Sequence, residues 1–184
     1  MVLSAGKKEK EELETMTLTD LLSEEQWNDF VKELHEKFGM CFAVSNANGD
    51  HVSHYENWCN RVCPVIKKKP EAIGAICAVA AQNFTAETKA TRKPMIGECD
   101  IALVKVAAPI FVGDTFLGTA GGCGLMPEDG EVEEFMVQKT TGLEEEKIAE
   151  LAEGIEIMSE TRAREFADYI AARIAEVVSR YESK

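Results

Sequence analysis

An α+β fold follows from three features of the 184-residue sequence. Trp27, Phe30, Val31, Leu34 and Phe38 recur at helical spacing, and so do Phe166, Ile170, Ile174, Val177 and Tyr181 near the end of the chain. Between them, the apolar runs Ile101–Val112 and Thr115–Leu125 flank Gly113-Asp114, the pattern of two antiparallel strands joined by a turn. The expected architecture is an antiparallel sheet flanked by helices, with a helical C-terminal segment. A domain of about 150 residues buries roughly 68–70% of its unfolded-chain surface, so the length suits one domain with appendages and needs no covalent staples.

Residues 1–17, with the charged run Lys7 to Glu14, read as a flexible or helical lead-in, and the domain is expected over 18–184. Ser23 followed by Gln26 is a capping box, and Gly39 is a helix stop. His35 lies beside the apolar stripe and receives no function. Met40–Ser45 reads as a buried strand, Asn48-Gly49 as a tight turn, and His51–Ser53 as the returning partner. Tyr55–Lys69 has no clean period and is expected to be a loop or short helical turn carrying Trp58, Cys59 and Cys63; such segments tend to line sites. Pro70 opens an alanine-rich helix over Glu71–Lys93. Pro109 predicts that the first long strand bends or lies at an edge there. Gly118, Gly121, Gly122 and Gly124 mark either close approach by a ligand or tight backbone packing, and no phosphate-loop pattern accompanies them. Glu131–Thr140, Leu143–Ala152 and Glu160–Tyr181 read as helices. The apolar face of the last packs on its own sheet or pairs with a second copy as a homodimer.

Charge excludes one class of function. Thirty-three acidic against twenty basic residues give a net charge of −13, a field that repels phosphate backbones, so direct nucleic-acid binding is not expected. Lys67-Lys68-Lys69 reads as a solvated loop. No apolar run has the roughly 20 residues of a spanning helix, and the first residues are charged where a signal peptide is apolar, so the expectation is a cytoplasmic protein without a membrane partner. Hydrophobic residues make up 45% and charged residues 29%, a balance that excludes a disordered chain.

Six cysteines in a reducing compartment call for an account other than structural disulfides. Cys59, Cys63, Cys77 and Cys99 could supply four thiolates to zinc or to an iron–sulfur cluster, although their spacing matches neither paired CxxC knuckles nor ferredoxin runs. Cys77 on an apolar helix face can equally be a small core residue, and Cys41 in its strand is assigned to the core. A catalytic cysteine would need a base, for which His51 and His54 are the neighbours, but no nucleophile elbow, HExxH or paired-carboxylate motif supports turnover. The chain therefore reads as a non-catalytic protein.

The order of Leu18-Thr-Asp-Leu-Leu, the strand ending in Asn48-Gly49-Asp50, Cys63, Cys77, Glu98-Cys99-Asp100, Val106-Ala-Ala-Pro-Ile110 and Gly118-Thr-Ala-Gly-Gly122 resembles the PocR ligand-binding domain, a sensory module related to PAS and GAF domains. The resemblance runs from about Leu18 to Ala172. It implies a PAS-like antiparallel sheet flanked by helices, with a small-molecule pocket between sheet and helices. Members are usually fused to output modules, so this chain is expected to be a sensor, standing alone or cut from a larger protein, that signals to a partner protein through its terminal helices. Cys63, Cys77 and Cys99 match the family's cysteines. Asp100 stands where a histidine is common, Cys123 where a glutamine is common, and Cys59 is additional. These departures point away from a diol-like ligand and toward a metal centre on Cys59, Cys63, Cys77 and Cys99, with Cys123 the alternative fourth sulfur. Trp58, Asp100, Gly122 and Cys123 are the expected ligand-binding residues. An iron–sulfur cluster is favoured over zinc because only the cluster changes state with oxygen or potential. An organic-ligand sensor with structural cysteines and a thiol redox switch or cysteine enzyme are the alternatives.

Overall fold

A computed structural model describes residues 16–183. Most of the 1–17 lead-in lies outside them. The described residues open with a short helix α1 (Leu18–Leu21), whose carbonyl at Leu18 accepts a hydrogen bond from the buried Trp27 indole at 2.9 Å. Helix α2 (Glu24–Phe38) starts at the predicted capping box, where Ser23 and Gln26 exchange backbone hydrogen bonds of 3.0 and 3.2 Å, and ends at Gly39, whose φ of 75° suits glycine.

Strand β1 (Cys41–Asn46) follows, then an irregular stretch, the six-residue helix α3 (Val62–Lys67) and a long helical arm. The arm is continuous in sequence but changes winding: α4 (Pro70–Ala72), a π-helical segment over Ile73–Ala78, and α5 (Val79–Thr91). Strands β2 (Met95–Glu98), β3 (Val104–Val112) and β4 (Thr115–Pro127) come next, followed by α6 (Glu134–Thr141), α7 (Glu145–Ala152), β5 (Ile157–Met158) and α8 (Glu160–Glu182).

The sheet has the order β1-β4-β3-β2 with antiparallel neighbours, and β5 adds a short parallel pairing to the end of β4. Asn48-Gly49 does turn the chain, but His51–Ser53 makes only the single bridge from His51 to Ser45 rather than a strand, because the Ser53 hydroxyl and the Asn57 side chain take over the pairing of β1. The first long strand begins at Val104, three residues later than its apolar run, since Cys99–Leu103 closes a tight turn. Pairing with β2 ends at Ala107, which leaves Pro109 on a locally free edge beside a register shift, as its missing N–H requires.

The sheet separates two cores. Alternation along β1, β3 and β4 turns Phe42, Val44, Val106, Ala108 and Ala120 toward α2 and α8, where Phe30, Leu34, Phe166 and Ile170 complete the larger core. The apolar stripe of α8 is consumed there, against its own sheet, so that stripe is not open to a second copy. A smaller core gathers Val62, Ile66, Ile76, Ile101, Leu103, Val137 and Ile148 from α3, the π segment, the turn before β3, α6 and α7. Cys63, Cys77 and Cys99 pack against it.

Candidate functional site

The site begins as a row across the sheet. Antiparallel register sets Cys41 of β1 beside Cys123 of β4, and Cys123 beside Lys105 of β3. Residues one position away, Phe42, Gly122 and Val106, are paired in the same manner and belong to the other face. The row is therefore on the face away from α8.

The loop before α3 is fastened along β1 by side chains rather than by strand pairing. Asn57 accepts from the Phe42 N–H at 2.5 Å and donates to the Phe42 carbonyl at 3.1 Å, and Asn28 accepts from the backbone of His54 and Tyr55 at 2.7 and 3.0 Å. This fixes the approach of Cys59 to Cys41. Their sulfurs stand 3.0 Å apart, and the Cys59 N–H donates to the Cys41 sulfur at 3.2 Å. Asn60 then ties the loop to the sheet and to the next cysteine. Its Nδ2 donates to the Gly124 carbonyl at 2.7 Å and to the Cys63 sulfur at 3.3 Å, while its Oδ1 accepts the Cys63 N–H at 2.8 Å. Gly124 makes room for this arrangement: a Cβ there would lie 2.6 Å from the Cys59 sulfur, and its φ of +106° favours glycine.

Cys77 arrives on the π segment, and Cys99 in the turn Cys99–Leu103. In that turn the Cys99 N–H donates to Leu103, and Ala102, with a φ of 62°, donates to the Cys99 carbonyl at 2.9 Å. A positive φ at a residue carrying a Cβ costs of order 1 kcal/mol or more, and here it closes the turn that carries Cys99.

The electrostatics bind the row and the arm into one neighbourhood. Desolvation pushes the Cys123 thiol up to about 12, with Lys105 opposing and Cys63, Cys99 and Cys77 adding to the rise. Desolvation also raises Cys77 and Cys99, offset at Cys77 by the Lys67 ammonium and at Cys99 by backbone hydrogen bonding from Ile101 and Leu103. Within the tight group, Cys63 is drawn down to about 7 by hydrogen bonding from Cys41, against desolvation and with the help of Asn60. Cys59 is likewise lowered by its bond to Cys41, and Cys41 is raised by hydrogen bonding with Cys59 and Cys63 and by desolvation. Desolvation and the charges of Lys67, His54 and Lys105 hold the His51 imidazole below its usual value.

Register and hydrogen bonds thus bring Cys59, Cys63 and Cys123 near one another, and Cys63, Cys77 and Cys99 pack against the smaller core. Cys41 joins them, a correction to its assignment as a core residue: the alternation Met40, Phe42, Val44 carries it to the opposite face. Lys67, with Lys68 and Lys69, is solvated as expected, but Lys67 closes α3 instead of lying in a loop. Trp58 is 41% exposed, with its indole N–H on Glu56 at 2.9 Å, and Asp100 is exposed at the tip of the Cys99 turn. Gly122 lies beneath Phe42, whose ring a Cβ would strike at 2.4 Å, so among the four expected ligand-binding residues Cys123 is the one within the cysteine group. Of the glycines, Gly118 and Gly121 serve backbone packing against β1 and β3, and Gly124 serves the cysteines. Asn57 and Asn60 were missed in the sequence because the bonds that fasten them to the sheet, to Phe42 and to Gly124, run to backbone groups remote in sequence.

Soft sulfur donors, two nearby lysines and N–H groups aimed at thiols suit a thiolate-ligated centre in chemistry. Among the described residues, however, no group of three or more His, Cys, Asp or Glu side chains is already gathered closely enough to hold a metal ion.

An antiparallel sheet with helices on both faces, carrying its cysteines on the smaller-core side, makes this an α+β domain. A scan of family models matches residues 20–182 to the family described as the sensory domain found in PocR. The chain belongs to that family. No curated protein and no solved structure matches it.

Proposed function

We propose that this sensory domain takes its ligand at the cysteine face of the sheet, and that the ligand is a thiolate-held metal centre, an iron–sulfur cluster in preference to zinc. One observation supports the reading above all others: Cys41, Cys59, Cys63 and Cys123 are linked by register and hydrogen bonds, and Cys63, Cys77 and Cys99 pack against the smaller core on the same side of the sheet. Cys63, Cys77 and Cys99 are the proposed ligands, with Cys59 or Cys123 as the fourth. Such a centre would respond to oxygen or potential if it is a cluster and would be structural if it is zinc. Lys67 and Lys105 offset the charge of gathered thiolates, and the π segment closes around them to bring Cys77 into reach. Signalling to a partner protein would follow from repacking of the helices that border the site.

The test is protein purified without oxygen, with its ultraviolet–visible spectrum and its iron, zinc and acid-labile sulfide measured on one sample. Iron and sulfide with broad absorbance that bleaches in Cys63→Ser or Cys99→Ser supports the cluster. Colourless, metal-free, folded protein would overturn it. A small organic ligand is then the better reading, consistent with membership of a sensory-domain family, and a thermal shift with small alcohols and diols would test it.

A further inference from the structure

We propose that Cys41 and Cys59 form a reversible disulfide, a thiol-modification site at the margin of the cysteine face that is separate from the centre proposed above. Their sulfurs are 3.0 Å apart, and a disulfide needs about 2.0 Å, so closure asks for roughly one ångström of movement. The two sides differ in how they can give. Cys41 is held in the sheet by its pairing with Cys123, whereas Cys59 is in the irregular stretch before α3, outside any strand. Both residues are partly exposed, and Trp58, next to Cys59 in the chain, is 41% exposed, so the pair lies at the margin of the cysteine face and not in the interior. The Cys59 N–H already lies on the Cys41 sulfur at 3.2 Å, which keeps the two residues face to face in the reduced state.

The oxidant is a low-molecular-weight disulfide such as oxidised glutathione. One thiol of the pair loses its proton and attacks a sulfur of that disulfide; the S–S bond breaks, one glutathione thiolate leaves, and a mixed disulfide remains. The second cysteine, also deprotonated, attacks the protein sulfur of the mixed disulfide and expels the other glutathione thiolate. The pair has lost two electrons and two protons, and the oxidant has become two glutathione thiols. The state of the pair is passed on locally. Asn60, adjacent to Cys59, holds the Cys63 sulfur at 3.3 Å and the Cys63 N–H at 2.8 Å, so withdrawing Cys59 toward Cys41 displaces the residue that positions Cys63. The pairing also assigns Cys59 outside the proposed metal ligands, leaving Cys123 with Cys63, Cys77 and Cys99.

The experiment equilibrates the full chain, as purified, in an oxygen-free series of reduced and oxidised glutathione, then alkylates it and maps its peptides by mass. The expected result is a crosslinked Cys41–Cys59 peptide that grows with the oxidant ratio and disappears on reduction with dithiothreitol. In Cys41→Ser the crosslink is absent and glutathione stays on Cys59. A crosslink that joins Cys59 to Cys63 or Cys123 instead overturns the proposal, as does full alkylation of both residues under buffer that oxidises dithiothreitol. The map of the unsubstituted protein decides the matter even if the variant does not fold. Metal and sulfide analysis of the same samples keeps the two proposals apart: a crosslink without metal sinks only the centre, and metal with Cys59 protected from both reactions sinks only the pair.

Discussion

Asn60 does at one position what a helix cap and a thiol-binding group ordinarily do at two. Its Oδ1 satisfies the Cys63 N–H in the first turn of α3, and its Nδ2 spans the Gly124 carbonyl and the Cys63 sulfur. Loss of a cap of this kind costs about 1 kcal/mol. Asn60→Ala is therefore expected to lower the unfolding free energy by that amount in urea titration and to move the pH midpoint of Cys63 alkylation upward from about 7, since a donor that favours the thiolate is gone. An unchanged alkylation profile would show that Asn60 does not act on the sulfur. Gly124 is the second such residue. With φ at +106° and the Cys59 sulfur 2.6 Å from where a Cβ would stand, Gly124→Ala should destabilise by about 1–3 kcal/mol, read from denaturant unfolding. At this scale the sequence was legible only in part. The cysteines declared themselves by number and by their polar neighbours, but Cys41 was assigned to the core although the alternation Met40, Phe42, Val44 turns it to the other face. The bonds of Asn57 to Phe42 and of Asn60 to Gly124 were hidden because a side-chain amide that binds backbone far away in sequence leaves no periodic trace, whereas the bond of Asn60 to the Cys63 N–H is local and was open to reading.

Elements were more legible where one periodicity governed a whole segment. The caps of α2 and the stripes of α2 and α8 were read directly, because burial of one helix face forces a 3.6-residue repeat. The π segment escaped notice, since one extra residue per turn barely alters an alanine-rich pattern, yet it is the segment that carries Cys77. Gly74, within it, is exposed and has nothing within 4 Å of an added Cβ. Gly74→Ala should accordingly stabilise the protein by about 0.5–1 kcal/mol in thermal or urea unfolding, and destabilisation would mean the π winding itself depends on glycine. A second expectation concerns the join between α2 and α8. Arg173 donates from Nε and Nη2 to the Glu33 carboxylate at 2.9 Å, and Tyr169 adds a 2.6 Å hydrogen bond, so Arg173 first and Tyr169 after it hold Glu33 below its ordinary 4.5 against desolvation. A depressed carboxyl contributes stability that is present above its unfolded value and is lost as pH falls through its folded value. The contribution should fade below about pH 4.5, and with the Glu33 side chain 38% exposed it is worth about 1 kcal/mol at most after screening. Glu33→Gln should flatten the acid limb of a stability-versus-pH curve there and leave the neutral-pH slope as it was.

The whole molecule places its two tasks on opposite faces of one sheet. The larger core, with Phe166 fully buried against Phe38 and Phe42, sets the stability of the scaffold through α2 and α8. The smaller core has no long strand of its own: α3, the π segment, the Cys99 turn, α6 and α7 meet there through residues each contributes singly. A core assembled from many short pieces opens more readily than one built on two long helices and a sheet, because few contacts are lost when any one piece leaves. The cysteines sit where those pieces meet β1 and β4, so an occupant that binds them ties the loosest segments to the most fixed ones. Whatever binds the folded state and not the unfolded one also stabilises it by mass action. Hydrogen exchange with and without the occupant, loaded iron and sulfide or a small-molecule ligand, should therefore slow amides in 59–67, 73–78 and 99–103 much more than amides in the middle of α8, which are already protected by the larger core. Protection centred on α8 instead would place the binding site on the other face of the sheet and detach the cysteines from sensing. The same experiment reports the route of output, since slowed exchange that extends from the cysteine face into α6 and α7 would mark those helices, rather than the buried stripe of α8, as the surface on which occupancy is displayed.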